Sequence, residues 1–160
     1  MKKNRALFHA VAIPLFLALA GCAAVQSSGD ADKARDAIRL KYPNLSVCRD
    51  LACDITVTAT ACDGNSITPT PLAVAVVEKP MVLVWTIRSS PDFTFDKKEG
   101  IYFKDDPLGQ FKCKPAQGSD VVFHCMNKNE NLLPSDYYYG INLVYKNQRC
   151  HVDPIIINGY

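Results

Sequence analysis

Alternation of apolar and polar positions is the main signal along this chain. In Asp54-Ile55-Thr56-Val57-Thr58-Ala59-Thr60 every second residue is apolar, and the others are threonine or aspartate. A strand sends successive side chains to opposite faces, so this run predicts a strand with one dry face. Met81 to Arg88 repeats the pattern with larger groups. Met81, Leu83, Trp85 and Ile87 share one face, which belongs in the core; Val82, Val84, Thr86 and Arg88 share the other. Further strand-like runs are Leu72 to Glu78, Phe93 to Phe95, Ile101 to Phe103, Phe111 to Cys113, Val121 to Cys125, Tyr137 to Lys146 and Cys150 to Ile157. Turn signals separate them: Cys62 to Ser66, Ser89 to Asp92, Asp105 to Gly109 and Lys114 to Asp120. Thr68-Pro69-Thr70-Pro71 is barred from a central strand, because proline removes ladder donors. Roughly seven to nine short strands, with a turn about every 8 to 12 residues and no helical period between them, predict an all-β, antiparallel sandwich rather than alternating strands and helices.

One helix is expected ahead of the strands. Ala34, Ala37, Ile38 and Tyr42 recur at helical spacing after Ser28 or Asp30, either of which can cap. Pro43 stops it, because the residue before a proline avoids the helical region. So short a helix is not stable alone and must lean its apolar stripe on the domain. Ala23 to Gly29 is small and polar, and reads as a tether.

Cysteine content changes the picture. The 160 residues include seven cysteines. Setting Cys22 aside leaves Cys48, Cys53, Cys62, Cys113, Cys125 and Cys150, an even set that in an exported domain favours three disulfides. Cys48 and Cys53 bracket Arg49-Asp50-Leu51-Ala52, and a four-residue hairpin loop would bring them together. Cys113 and Cys125 flank a turn-rich segment and can face each other across a hairpin. Cys62 and Cys150 then remain to join early chain to late chain. No C-x-x-C pair and no downstream histidine pair of zinc-site spacing occurs.

The N-terminus gives the export signal. Lys2, Lys3 and Arg5 precede an uncharged apolar stretch from Ala6 to Leu19, and small residues lead to a cysteine in Leu19-Ala20-Gly21-Cys22. That layout is a secretory signal, and Leu-Ala-Gly-Cys resembles the lipobox of bacterial lipoproteins. The resemblance implies diacylglycerol on the Cys22 thiol, cleavage between Gly21 and Cys22, and acylation of the new amino group. The apolar run falls short of the roughly 20 residues a membrane span needs, while two or more acyl chains anchor stably. Ala23 and Ala24 follow the cysteine where an aspartate would retain a lipoprotein at the inner membrane, so the sorting rule implies the outer membrane. The expected organisation is a signal peptide at 1–21, a tether at 22–29 and one sandwich domain at 30–160.

A second resemblance is local. Leu132-Leu133-Pro134-Ser135-Asp136-Tyr137-Tyr138 is similar to the L-x-P-x-x-x-Y stretch of fibronectin type III domains, whose tyrosine bonds back to upstream backbone. The chain then departs from that pattern, since Gly140 and Asn142 are poor core residues. The register with Tyr139, Ile141, Leu143 and Tyr145 inward buries more apolar area. What the resemblance implies is an immunoglobulin-like sandwich and no narrower family.

Charge and chemistry narrow the function classes. Three of the 18 Lys and Arg and none of the 16 Asp and Glu fall within residues 1–21, leaving 15 basic against 16 acidic. A near-neutral domain has no electrostatic footprint for nucleic acid. After His9 leaves with the signal, His124 and His151 remain, each beside a cysteine. Imidazole beside sulfur suits copper, but strand neighbours face opposite ways, so cysteines in core disulfides would turn both histidines outward. No G-x-S-x-G, no glycine-rich phosphate loop and no EF-hand loop occurs. Asp92, Asp96, Glu99, Asp105 and Asp106 sit in turn signals. These observations lead to the expectation of a non-catalytic envelope lipoprotein with no cofactor, held to the membrane by its lipid and contacting another envelope protein. The alternative is a periplasmic module for a metal ion or small molecule. Contact candidates are Tyr137 and Tyr138, from the tyrosine run, and Ile156, from an apolar last strand that offers a docking edge if it lies at the edge of a sheet.

Overall fold

The computed structural model describes residues 28–77, 80–88, 92–131 and 133–160. The lipobox, Cys22 and the tether up to residue 27 lie outside the described residues. Helix α1 spans Ser28–Lys41, so Ser28 and Gly29, expected in the tether, are helical. The strands are β1 (Ser46–Cys48), β2 (Ala52–Ala59), β3 (Ile67–Thr70), β4 (Ala73–Val76), β5 (Met81–Ile87) and β6 (Phe93–Phe95). Then follow β7 (Ile101–Phe103), β8 (Phe111–Pro115), β9 (Val122–Asn127), β10 (Ser135–Tyr145), β11 (Gln148–Val152) and β12 (Ile155–Asn158). Among the described residues no helix is long and apolar enough to cross a membrane.

Two sheets make an all-β sandwich. One has five strands in the order β3-β2-β5-β9-β8. Its edge strand β3 carries Pro69, as the proline content required. The other sheet has seven strands built around β10, the longest. β12 and β11 pair successive stretches of β10 in one register, Tyr138 opposite Ile155 and Ile141 opposite Val152. Lys146 and Asn147, at φ 48° and 67°, close the β10–β11 hairpin with the left-handed backbone that two-residue turns favour. β6 and β7 also pair with β10, and β4 and β1 extend the sheet beyond β12.

The pairing is not purely antiparallel, which corrects the sequence expectation. β1 with β4, β12 with β4, and β2 with β5 are parallel. Parallel neighbours need a crossover, and here the other sheet supplies it. After β2 the chain returns as β3, crosses to the seven-stranded sheet as β4, and comes back as β5 beside β2.

The core between the sheets has the expected face. Met81, Leu83 and Trp85 are fully buried and Ile87 nearly so, against Ile55, Val57, Phe123, Ile141 and Leu143. The Trp85 Nε1–H donates to the Tyr139 hydroxyl at 3.1 Å, and the rings meet edge to face at 5.3 Å. Burial pushes the Tyr139 phenol up, so it stays a neutral partner. β4 and β12 are buried on both faces because α1 covers the outer one. Val74, Val76 and Ile156 enter the main core, while Ala75 and Ile157 meet Ile38, Tyr42 and Tyr160.

Six cysteines form three bridges: Cys48–Cys53, Cys62–Cys150 and Cys113–Cys125. Cys113 and Cys125 sit opposite each other on β8 and β9, the expected hairpin. Cys48–Cys53 is not a hairpin bridge. β1 lies in one sheet and β2 in the other, so the bridge ties the sheets where the chain passes between them. Cys62, just past β2, reaches Cys150 on β11 and ties them again.

Candidate docking surface

The alternation of β10 decides the tyrosine run. Tyr137 and Tyr139 point inward, whereas Tyr138 is 51% exposed. Tyr137 therefore leaves the list of surface candidates. Its hydroxyl is held by the side-chain amides of Gln110 and Asn131, closing one end of the sandwich. Among the described residues the Tyr138 hydroxyl makes no bond to upstream backbone; Tyr137 reaches upstream, to the Asn131 side chain. Ile156 leaves as well. β12 lies between β4 and β10 rather than at an edge, and the side chain is fully buried.

Tyr138 borders a groove of about 500 Å³ lined by Lys41, Tyr42, Leu72, Ala73, Pro154 and Ile155, with Asp153 at its rim. Leu72 is 61% exposed, so one wall is apolar and open. The groove runs on past Pro43 and Asn44, which follow α1. Asp136 fixes the wall. Its Oδ2 accepts hydrogen bonds from the Lys41 ammonium and, at 3.0 Å, from the Tyr42 hydroxyl. The hydrogen bond to Asp136 holds the Lys41 ammonium well above the usual lysine range, and burial, aided by Asp136, pushes the Tyr42 phenol up. An exposed tyrosine and leucine beside a neutralised ion pair form a surface suited to protein contact.

The two histidines lie apart. His124 is on the outer face of the five-stranded sheet, opposite Val84 and Lys114. His151 is on β11 of the other sheet, over Tyr102 at 6.1 Å between ring centroids. Cys125 and Cys150, beside them, are both in disulfides, so neither offers a thiolate. Among the described residues no three His, Cys, Asp or Glu side chains are grouped to hold a metal ion. His151 Nδ1 meets Asn142 Oδ1 at 2.8 Å and Nε2 meets Asp153 Oδ1 at 2.6 Å. Asn142 Nδ2 donates to the Glu99 carbonyl, which leaves Oδ1 as the acceptor. Both ring nitrogens thus lie against side-chain oxygens.

Two of the turn carboxylates, Asp96 and Asp106, bind the backbone of their own loops. Asp96 accepts the N–H groups of Lys98 and Glu99 and pairs with Arg149 at 3.2 Å. The Glu99 N–H above all, with the Lys98 N–H and the Arg149 charge, holds the Asp96 carboxyl below the usual range against opposing burial. Asp106 accepts the N–H groups of Gln110 and Phe111. At Asp153, burial pushes the carboxyl up, but Lys104 and His151 outweigh it and hold it low.

Sequence reasoning missed the buried polar set Gln110, Asn127, Asn129 and Asn158, all fully buried. Asn127 and Asn158 exchange amide hydrogen bonds at 2.7 and 3.0 Å, and Asn129 caps the carbonyls of Val76 and Val77. A single asparagine in a turn-rich segment carries no sign of such a partner. No protein-family model and no curated protein matches this chain.

Proposed function

We propose that this chain is an envelope lipoprotein, cut before Cys22, acylated there, and held at the outer membrane as a non-catalytic protein-contact module. The carrying observation is the pairing of the Leu19-Ala20-Gly21-Cys22 signal with a domain whose other six cysteines are all disulfide-bonded. Structural disulfides belong to oxidising compartments. The sandwich is of immunoglobulin-like type in this reading, supported by two facing sheets and a buried Trp85 on the middle strand of the five-stranded one. The mixed pairing is its own departure from that type.

Five residues lie between Cys22 and Ser28, and the six steps they make reach at most about 20 Å. The domain would search a thin layer above the lipid, which raises its effective concentration toward membrane-associated proteins. The Tyr138–Leu72 groove is the contact site of this reading. The loop-bound carboxylates of Asp96 and Asp106 support a role without catalysis.

Two measurements test it. Radiolabelled palmitate should enter the wild-type chain and not Cys22→Ser, which should appear unprocessed or in the soluble periplasmic fraction. A photoreactive residue at Tyr138 or Leu72 should trap a membrane-associated protein in intact cells, and the adduct should vanish in the Cys22→Ser background. Palmitate on Cys22→Ser would defeat the anchoring assignment. Hydrolytic turnover lost on changing Asp105 or Asp106 would replace the contact reading with an enzyme.

A further inference from the structure

The outer face of the five-stranded sheet is covered by nothing among the described residues, and its chemistry is uneven. Register places Val82, Met126 and Lys112 in one row across β5, β9 and β8. Val84, His124 and Lys114 form the next row. Met126 is 44% exposed, and the valines are half-buried. Val82, Met126, His124, Lys112 and Lys114 line a groove of about 530 Å³. Lys112 and Lys114 make no ion pair with a described residue, although Lys41, Lys104, Arg35 and Arg149 all do. Among the strand positions of this face the one carboxylate is Asp54, two strands away from His124 on the far side of Val84.

We infer that this groove is a second docking site, separate from the Tyr138 groove, and that it takes an acidic peptide segment of a partner protein. Three features select that occupant. Two lysines with no ion pair among the described residues stand two positions apart on one strand, about 7 Å along it, a spacing that acidic side chains two residues apart on an extended segment reproduce. The apolar floor of Val82 and Met126 takes an apolar side chain beside those carboxylates. The hollow is concave, which fits a chain segment rather than a flat lipid surface. The edge of β8 adds a reason to bind on the face instead of by strand addition. The Phe111 N–H is held by Asp106 and Pro115 has none, so the edge is largely closed to a new strand.

The test uses the mature lipidated protein in nanodiscs of neutral lipid. A fluorescein-labelled peptide of alternating glutamate and leucine is titrated by anisotropy, with a lysine/leucine peptide as the charge-reversed control. The acidic peptide should bind, and binding should weaken as salt screens the charges. Lys112→Glu/Lys114→Glu should weaken it at least about tenfold, since each reversal removes one attraction and adds one repulsion. Met126→Asp should weaken it too, while Thr68→Glu, at the far edge of the same face, should not. Circular dichroism checks that each variant is folded. Equal binding of the lysine/leucine peptide, or undiminished binding by the double charge reversal, overturns the assignment. Vesicles of phosphatidylglycerol that bind through the same lysines while the peptide does not would make the face a lipid contact and overturn it equally. The measurement starts from protein already processed at Cys22 and reads only peptide binding, so failure here leaves the lipoprotein reading standing. Conversely, Tyr138→Ala should leave peptide binding unchanged.

Discussion

The Cys62–Cys150 bridge should dominate the stability of this domain. Chain entropy sets the expectation: a cross-link restricts the unfolded state more as the loop it closes lengthens. The sequence separation of 88 corresponds to about 4.6 kcal/mol at 25 °C, against about 2.8 for the separation of 12 at Cys113–Cys125 and about 2.1 for the separation of 5 at Cys48–Cys53. Cys113–Cys125 lies inside the long loop and shortens its path, which lowers the first figure by only about 0.1 kcal/mol because the dependence is logarithmic. A loss of roughly 4.5 kcal/mol is a large share of the 5 to 15 typical of a domain, and corresponds to about 15 °C in Tm at this size. Urea unfolding of Cys62→Ser/Cys150→Ser, which leaves no odd thiol, measures it. The midpoint should fall, and the slope of free energy against urea should rise, since the released chain exposes more surface when unfolded. A loss smaller than that of Cys48→Ser/Cys53→Ser would refute the reasoning. So would a large loss with an unchanged slope, because the bridge would then act through native packing.

Trp85→Ala should cost about 3 to 5 kcal/mol, as large core truncations do, and Trp85→Phe about 1 to 3, because the buried Tyr139 hydroxyl loses its donor; urea midpoints separate the two. Gly140→Ala should destabilise by about 1 to 3 kcal/mol, since its methyl would collide with the Tyr102 ring. Adding Tyr102→Ala should recover part of that loss, and no recovery would show that the clash is not with Tyr102. The Asp96 carboxyl is held low in the folded state, so its contribution is present above about pH 4, the ordinary range, and disappears as pH falls through the lower folded value. Thermal melts across that window should show a smaller acid-side decline in Asp96→Asn than in wild type.

The local periodicity of this sequence determined which side of a strand is dry. The alternation over residues 81–87 and 54–60 placed Trp85 and Ile55 in the core, and the prolines of 68–71 kept that segment at an edge. Pairing of Cys113 with Cys125 was legible because one short hairpin holds both, and Cys62 with Cys150 followed once the short loops had claimed the others. The two-residue period carries no information about which strand lies next to which. Ile155-Ile156-Ile157 reads alike at an exposed edge and between two covered faces; only β4 on one side, β10 on the other and α1 above show that it is interior. The same ignorance of neighbours hid the parallel pairs, the passage of Cys48–Cys53 between sheets, and the inward turn of Tyr137. Surfaces suffered most. Tyr138 stood out as an aromatic, but Leu72 and Tyr42 join it only because a helix end and a strand start meet there. Lys112, Lys114, Val82 and Met126 come from three strands and become one groove only when register brings their rows together.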